Sequence, residues 1–500
     1  MNSPNKRIII SLLVNIFKAI LSLATGLLIA RGLGPEDFGI LSFLLASFTA
    51  LRSMLDMGTS SAFFSFISKK LQSKKFFITY LVWLMIQFIL SLLFIGIFAP
   101  NDWIMHIWQG EFRERVLLAF MAVFFQQQIW GMLSHIGESQ RLTVRVQSIN
   151  IIVAAFHLLL ILGLYYFFRL TVERIFILII IEFLLVAIIA WWTFPLTYSN
   201  ETKTLKQIIQ EYKKFCLPLL PYTYLGLVMG LADTWLLQHY GGAIEQAYYG
   251  IGYRFAAISL IATQSILKIL WKEVAESNEQ GDKERVRRIY ERSNRVLFMF
   301  GAVISGFLVP WASEIIHLLL GDAYSGGVFV LSIMFLYPIH QSLGQVIGTM
   351  YYSLELTKPH AIIGMIFMTL SIITVYFLLA PANVIIPGLG LASTGLAIKM
   401  VLMQFIGVNL SIWWLSRSQG WKFSIFYQFI GIGSFLIAGF LAKESVSFLI
   451  WNGSPQLLQV ILTGLLYIIL SGVIIYTMPW LLNITRVDIR KYISHAKSFV

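Results

Sequence analysis

The residues able to do chemistry are charges set in apolar sequence. Five bases, Lys18, Arg52, Arg254, Lys268 and Lys399, and three acids, Asp56, Glu182 and Asp233, stand in stretches otherwise rich in Leu, Ile, Phe and Val. A charge in such a place costs about 2.5–3.5 kcal/mol on insertion scales, so it faces a wet cavity or a partner. Helical spacing puts Thr49 and Asp56 on the face of Arg52, and Asn15, Ser22 and Thr25 on that of Lys18. Arg52 then has two readings: a neutralised i, i+4 pair with Asp56 that only holds helices together, or a cation presented to a cavity. Lys18 lies about ten residues, roughly 15 Å, into its stretch, an awkward depth for snorkelling. Arg254 and Lys399 stand closer to an outer end and could reach it, whereas Lys268 stands near an inner end, where snorkelling is favoured. Asp233 could neutralise a base or bind a coupling cation. Glu182 and His157 read first as an interhelical polar contact and second as proton carriers. A cavity with a basic excess suits an anion such as a diphosphate, and suits a cationic drug poorly.

The elements that must carry these residues are membrane helices. Only 12 % of the 500 residues are charged and 58 % are hydrophobic, too little charge to cover a soluble surface of this size. Apolar runs of about 18 or more residues recur from 8–30 to 456–480, fourteen in all, each long enough to cross a bilayer core. Outer-membrane barrels alternate in runs of about ten, so helices remain. The basic head Met1–Arg7 and the stretch 8–30 read as a retained first span rather than a cleaved signal. With that head inside, the inner segments hold 26 Lys and Arg and the outer ones 6. This bias places both termini in the cytoplasm and explains the net charge of +13 without nucleic acid.

Other chemistries lack their residues. A single cysteine, Cys216, permits no internal disulfide or cysteine cluster. There is no Gly-x-x-x-x-Gly-Lys-Ser/Thr loop and no zinc spacing, so no catalytic residue, metal or cofactor is expected. Glu36-Asp37, in Gly34-Pro35-Glu36-Asp37-Phe38-Gly39, reads as a turn rather than a glycosyltransferase acidic pair.

Motifs recur at fixed offset. Phe38-Gly39-Ile40 returns as Tyr249-Gly250-Ile251, and His106, Gly110 and Glu111 return as His317, Gly321 and Asp322, both 211 residues later. Gly131, Glu138 and Arg141 return as Gly348, Glu355 and Lys358, 217 later. Six spans per repeat is an even number, so the halves enter from the same side and relate by an axis along the membrane normal. The expected organisation is an all-α polytopic membrane protein with a six-helix lobe at 1–195, an amphipathic cytoplasmic linker helix at 196–215, a second six-helix lobe at 216–415 and two additional spans with a tail at 416–500. The charge-dense stretch 271–295 is expected to be a further cytoplasmic helix.

Ala30-Arg31-Gly32-Leu33-Gly34-Pro35-Glu36-Asp37-Phe38-Gly39-Ile40 with Asp56-Met57-Gly58 resembles the opening of the lipid-linked oligosaccharide flippases of the Wzx type. Leu318-Leu319-Leu320-Gly321-Asp322-Ala323-Tyr324 and Leu356-Thr357-Lys358 resemble the family's second half. These flippases belong to the multidrug/oligosaccharidyl-lipid/polysaccharide exporter (MOP) superfamily. The resemblance implies a MATE/MurJ-like fold that passes undecaprenyl-diphosphate-linked oligosaccharide from the inner to the outer leaflet of a bacterial cytoplasmic membrane, by alternating access of two lobes around a cationic cavity. That would serve polysaccharide, O-antigen and lipopolysaccharide synthesis, with membrane lipids, a polymerase and chain-length proteins as partners. By the same resemblance Lys18, Arg52 and Arg254 are substrate-binding residues, joined by Lys399 from its position, with Asp56 and Asp233 as charge partners or coupling groups. Where relatives often carry a proline, at the end of the eighth span, this chain has Leu270-Trp271-Lys272. The competing readings are a drug/cation antiporter of the same superfamily and a membrane glycosyltransferase or polymerase.

Overall fold

The computed structural model describes residues 4–194, 198–199, 203–449, 455–484 and 486, with side chains from residue 16 onward apart from several within 219–272. Every regular element among the described residues is a helix. The first are α1 (Pro4–Asp56), α2 (Thr59–Lys69), α3 (Lys74–Leu93), α4 (Asn101–Ile107), α5 (Arg113–Val123) and α6 (Trp130–Ser139). Next come α7 (Thr143–Phe167), α8 (Val172–Thr193), α9 (Leu205–Cys216), α10 (Leu220–Glu279), α11 (Lys283–Leu308) and α12 (Ala312–Leu319). The last are α13 (Val328–Met334), α14 (Tyr337–Ser353), α15 (Thr357–Leu379), α16 (Ala392–Gln419), α17 (Phe426–Leu449) and α18 (Gln456–Thr477).

Among the described residues, eleven helical stretches are long and apolar enough to cross a membrane. The first of them contains a break inside α1, where Gly34 takes φ 78° and ψ 170°. A side chain would strain that conformation, and Pro35 then supplies the fixed φ and missing N–H suited to a first helical turn. α1 is therefore two crossings. α10, at 60 residues, is far too long for one, and it breaks in the same manner at Gly242, φ 80° and ψ −176°. Together these yield about fourteen crossings.

The repeat is visible in local backbone. Gly34 and Gly242 break the two long helices; Gly110 (φ 90°) and Gly321 (φ 86°) follow the short helices α4 and α12. Arg141 (φ 61°) and Glu355 (φ 59°) close the next helices along.

The chain forms two compact units, one of residues 1–250 with 368–393, the other of 251–367 with 394–500. In the first, a Cβ on Gly39 would fall on the Ala243 carbonyl, so the second half of α1 lies directly on the α10 backbone. In the second unit, Gly439 of α17 meets the Gly306 carbonyl of α11, a close approach that only small residues permit. Around it Phe298, Ile339, Met350, Tyr351 and Phe435 form a buried core.

One expectation changes. The stretch 271–295 is no separate helix: α10 runs to Glu279 and α11 starts at Lys283, with only the Gly281 turn between. The hydrogen-bond ladder breaks only at that turn, so the charges extend two long helices beyond their apolar parts. The amphipathic helix is α9, opened by a Thr204/Gln207 capping box. Its aromatic face is taken up by protein, since Tyr212 and Phe215 meet Phe66 at 5.5 and 5.6 Å between ring centroids.

Candidate functional site

In the first unit the site is built around a π turn. The α5 ladder passes through Phe124–Ile129 as a π segment before resuming as α6. A π segment widens one turn of a helix and often marks a functional position. Here the Gln127 carbonyl accepts from Arg52 Nη1 at 3.4 Å, while Gln127 Nε2 donates to Thr49 Oγ1 at 2.9 Å. Arg52 has no other hydrogen bond or ion pair among the described residues, and its Nε is buried without a partner. It borders a largely apolar cavity of 370 Å³ that also includes Phe48, Gln87, Trp108, Phe124 and Gln128.

Lys18 reaches the same region from the other half of α1. Its Nζ donates to Asn150 Oδ1 of α7 at 3.4 Å, and Trp130 Nε1 donates to the same oxygen at 3.3 Å. Trp130 follows Gln127 by three residues, about 4.5 Å of helix. Two intramembrane cations thus converge on residues 127–130, and both keep donors to spare. An ammonium has three N–H groups and a guanidinium five, and each spends one here.

Asp56 does not pair with Arg52. Its Oδ1 accepts from Thr59 Oγ1 and the Ser60 backbone N–H, both at 3.0 Å, and from Ser60 Oγ at 2.5 Å. Those bonds cap the start of α2 after the Gly58 turn, where backbone N–H groups lack helical partners. Ser60 also meets the Tyr80 hydroxyl at 3.1 Å. Its Oδ1 is thus turned to a helix end and not to Arg52. Asp233, on α10 in the first unit, is buried and engaged. In the second unit Lys399 is 1 % exposed, and both Lys399 and Arg254 are engaged with neighbours. The Lys268 side chain falls outside the described residues.

The groups that connect the two cations were not singled out in the sequence. Gln127, Gln128, Asn150 and Trp130 are uncharged and draw little notice. A signal existed in the run Gln126-Gln127-Gln128, three amides inside the otherwise apolar stretch from Val116 to Ile129. His157 and Glu182 form the expected interhelical contact, with Nδ1 2.7 Å from Oε2.

Comparison with known proteins agrees with this architecture. Residues 5–269 match the family described as polysaccharide biosynthesis protein, and residues 218–377 match the MatE family. No curated protein matches the sequence. The fold is similar to lipid II flippase MurJ in an inward closed conformation, with TM-score 0.69 and 14 % identity over 94 % of this chain and 99 % of that one. An inward-facing multidrug resistance MATE transporter of the MOP superfamily follows, with TM-score 0.59 and 15 % identity over 83 % of this chain and 99 % of that one. A MOP superfamily transporter from Pyrococcus furiosus has TM-score 0.54 and 14 % identity over 84 % and 96 %.

Proposed function

Because the chain belongs to the polysaccharide biosynthesis protein family and has the fold of MOP transporters, we propose that it is a flippase for undecaprenyl-diphosphate-linked oligosaccharide. The observation that carries this reading is the convergence of Lys18 and Arg52 on residues 127–130 with unspent donors. A diphosphate brought into a partly dehydrated space needs cationic donors, and a guanidinium offers a forked pair. A cationic drug would need a carboxylate facing it there, and the nearest along α1, Asp56, already accepts three hydrogen bonds through Oδ1 at the start of α2.

The flanking features support the same assignment. The cavity beside Arg52 is lined mainly by Leu, Ile, Met and Phe, a surface compatible with a lipid chain next to a charged headgroup. Arg254 and Lys399 are proposed as further substrate-binding residues, and Asp233 as a charge partner. The substrate would enter from the inner leaflet of a bacterial cytoplasmic membrane and leave from the outer one, for assembly into surface polysaccharide such as O-antigen by a polymerase and chain-length proteins. The lobes 1–195 and 216–415 of the repeat, joined by the 196–215 linker, would move against one another, with both termini in the cytoplasm.

Proteoliposomes carrying fluorescent polyprenyl-diphosphate sugar give the test. Wild-type protein should expose the sugar to an impermeant reductant on the far leaflet, and a cationic dye should not compete. Transport of the dye, with no sugar lipid moved, would replace the flippase by a drug antiporter.

A further inference from the structure

His157 and Glu182 meet in the middle of the membrane part of the first unit. His157 stands ten residues before Phe167 at the end of α7, and Glu182 ten residues after Val172 at the start of α8. Ten residues of helix rise about 15 Å, half of a hydrocarbon core of roughly 30 Å. The imidazole Nδ1 lies 2.7 Å from Glu182 Oε2, with side chains 21 % and 3 % exposed. The second carboxylate oxygen, Oε1, is buried and has no hydrogen-bond partner among the described residues. A pair built only to clip two helices together would commit both oxygens. This one leaves an acceptor empty beside an imidazole whose edge remains accessible.

We infer that the His157–Glu182 pair is a proton-binding site, and that its occupancy is coupled to transport. With His157 neutral and Glu182 ionised, the pair carries one negative charge. One added proton, held at imidazole Nε2 or at the carboxylate, brings it to zero. Its release restores the charge, and no other bond forms or breaks. Imidazole is the side chain whose charge changes in the range between about pH 5 and 8, and carboxylate–imidazole chains within membrane helices carry protons elsewhere.

The groups on neighbouring elements suit this role. From α1, Lys18 is tied to Asn150, which lies seven residues before His157 and so two turns along the same face of α7. α5 presents Arg115, engaged with Glu111 and Glu173 toward the helix ends. α6 presents His135 and Glu138, and the π turn presents only neutral residues. Among the described residues, none of these forms an ion pair with either member. Lys18 is the cation held two turns away on the α7 face, through Asn150, and a neutral pair would remove a negative charge from the α7–α8 contact on that side.

This inference rests on the reading of the chain as a transporter, and its test has an arm that needs no substrate. In reconstituted protein, the Glu182 carboxyl infrared band and the His157 15N resonances are followed across about pH 5–8, with Glu182→Gln and His157→Gln as controls. Glu182→Gln keeps shape and an acceptor for the imidazole, and thermal unfolding of each variant checks that it is folded. At least one group should titrate, and proton uptake after a pH jump should fall in both variants. In the second arm, a pH gradient across proteoliposomes should change the rate of lipid-linked sugar movement at least about fivefold in wild type and less than twofold in Glu182→Gln. No titration by either group, or an unaltered gradient response in both folded variants, overturns the inference. Intact titration with no sugar movement by wild type overturns the substrate reading instead.

Discussion

Replacing Arg52 by alanine separates its role toward substrate from its role in the fold. Its internal commitment is slight: one bond to the Gln127 carbonyl at 3.4 Å, with no ion pair to Asp56. A long hydrogen bond of this kind contributes at most about 1 kcal/mol, so Arg52→Ala should insert and melt close to wild type. Toward a diphosphate, one or two charge-assisted bonds are lost, at about 1.5–3 kcal/mol each. With tenfold per 1.4 kcal/mol, transport at subsaturating substrate should fall by roughly 10- to 100-fold or more. Arg52→Lys should recover part, because charge returns without the fork. The assay is sugar-lipid movement in proteoliposomes at matched protein content, with export in a deletion strain as the cellular counterpart. The rival account makes Arg52 a structural partner of Asp56. It requires Arg52→Ala with Asp56→Ala to restore what either single change loses. Here the two side chains have separate partners, so the double variant should be additive: the transport defect of one and the uncapped α2 of the other. Full rescue would refute the substrate-binding argument.

Lys18→Ala should weaken transport less than Arg52→Ala and leave stability intact, and Lys18→Arg should be tolerated; loss of folding in the alanine variant, by thermal unfolding, would assign Lys18 to structure. Gly439→Ala should destabilise by about 1–3 kcal/mol, because its Cβ falls on the Gly306 carbonyl and neither backbone can yield; an unchanged Tm would contradict the close approach. Lys443 donates to the Pro310 carbonyl at 2.6 Å and to Glu314 at 2.5 Å, so Lys443→Met should lower Tm, and adding Glu314→Gln should return part of it by removing the orphaned charge. A reporter fused after Val500 should be active only as a cytoplasmic reporter; phosphatase activity there would reverse the proposed topology.

The membrane architecture was legible because hydropathy and length act one residue at a time. A run of about 20 apolar residues has few alternatives in a bilayer. Glycine punctuation was legible for a similar reason: Gly34-Pro35 can end one helix and begin another with little help from elsewhere, and Gly242 repeats the break. The 271–295 stretch was read differently because charge suggests solvent, and solvent suggests a new element. A helix does not stop where it leaves the membrane unless a residue such as Gly281 stops it.

Partner choice inside the membrane is another matter, since it depends on helix rotation and on small departures from 3.6 residues per turn. Arg52 and Asp56 share a face by spacing alone, and on a regular helix they would pair. Two local events prevent this. Met57 and Gly58, both at positive φ, end α1 one residue after Asp56, so its carboxylate lies at the start of α2 and finds N–H and O–H donors there. The π turn across 124–129 meanwhile brings the Gln127 carbonyl to Arg52. Neither event leaves a periodic signature, and the second is written in neutral amides. A carboxylate with three donors has no need of a guanidinium, so the same backbone break that starts α2 leaves Arg52 available to an anion.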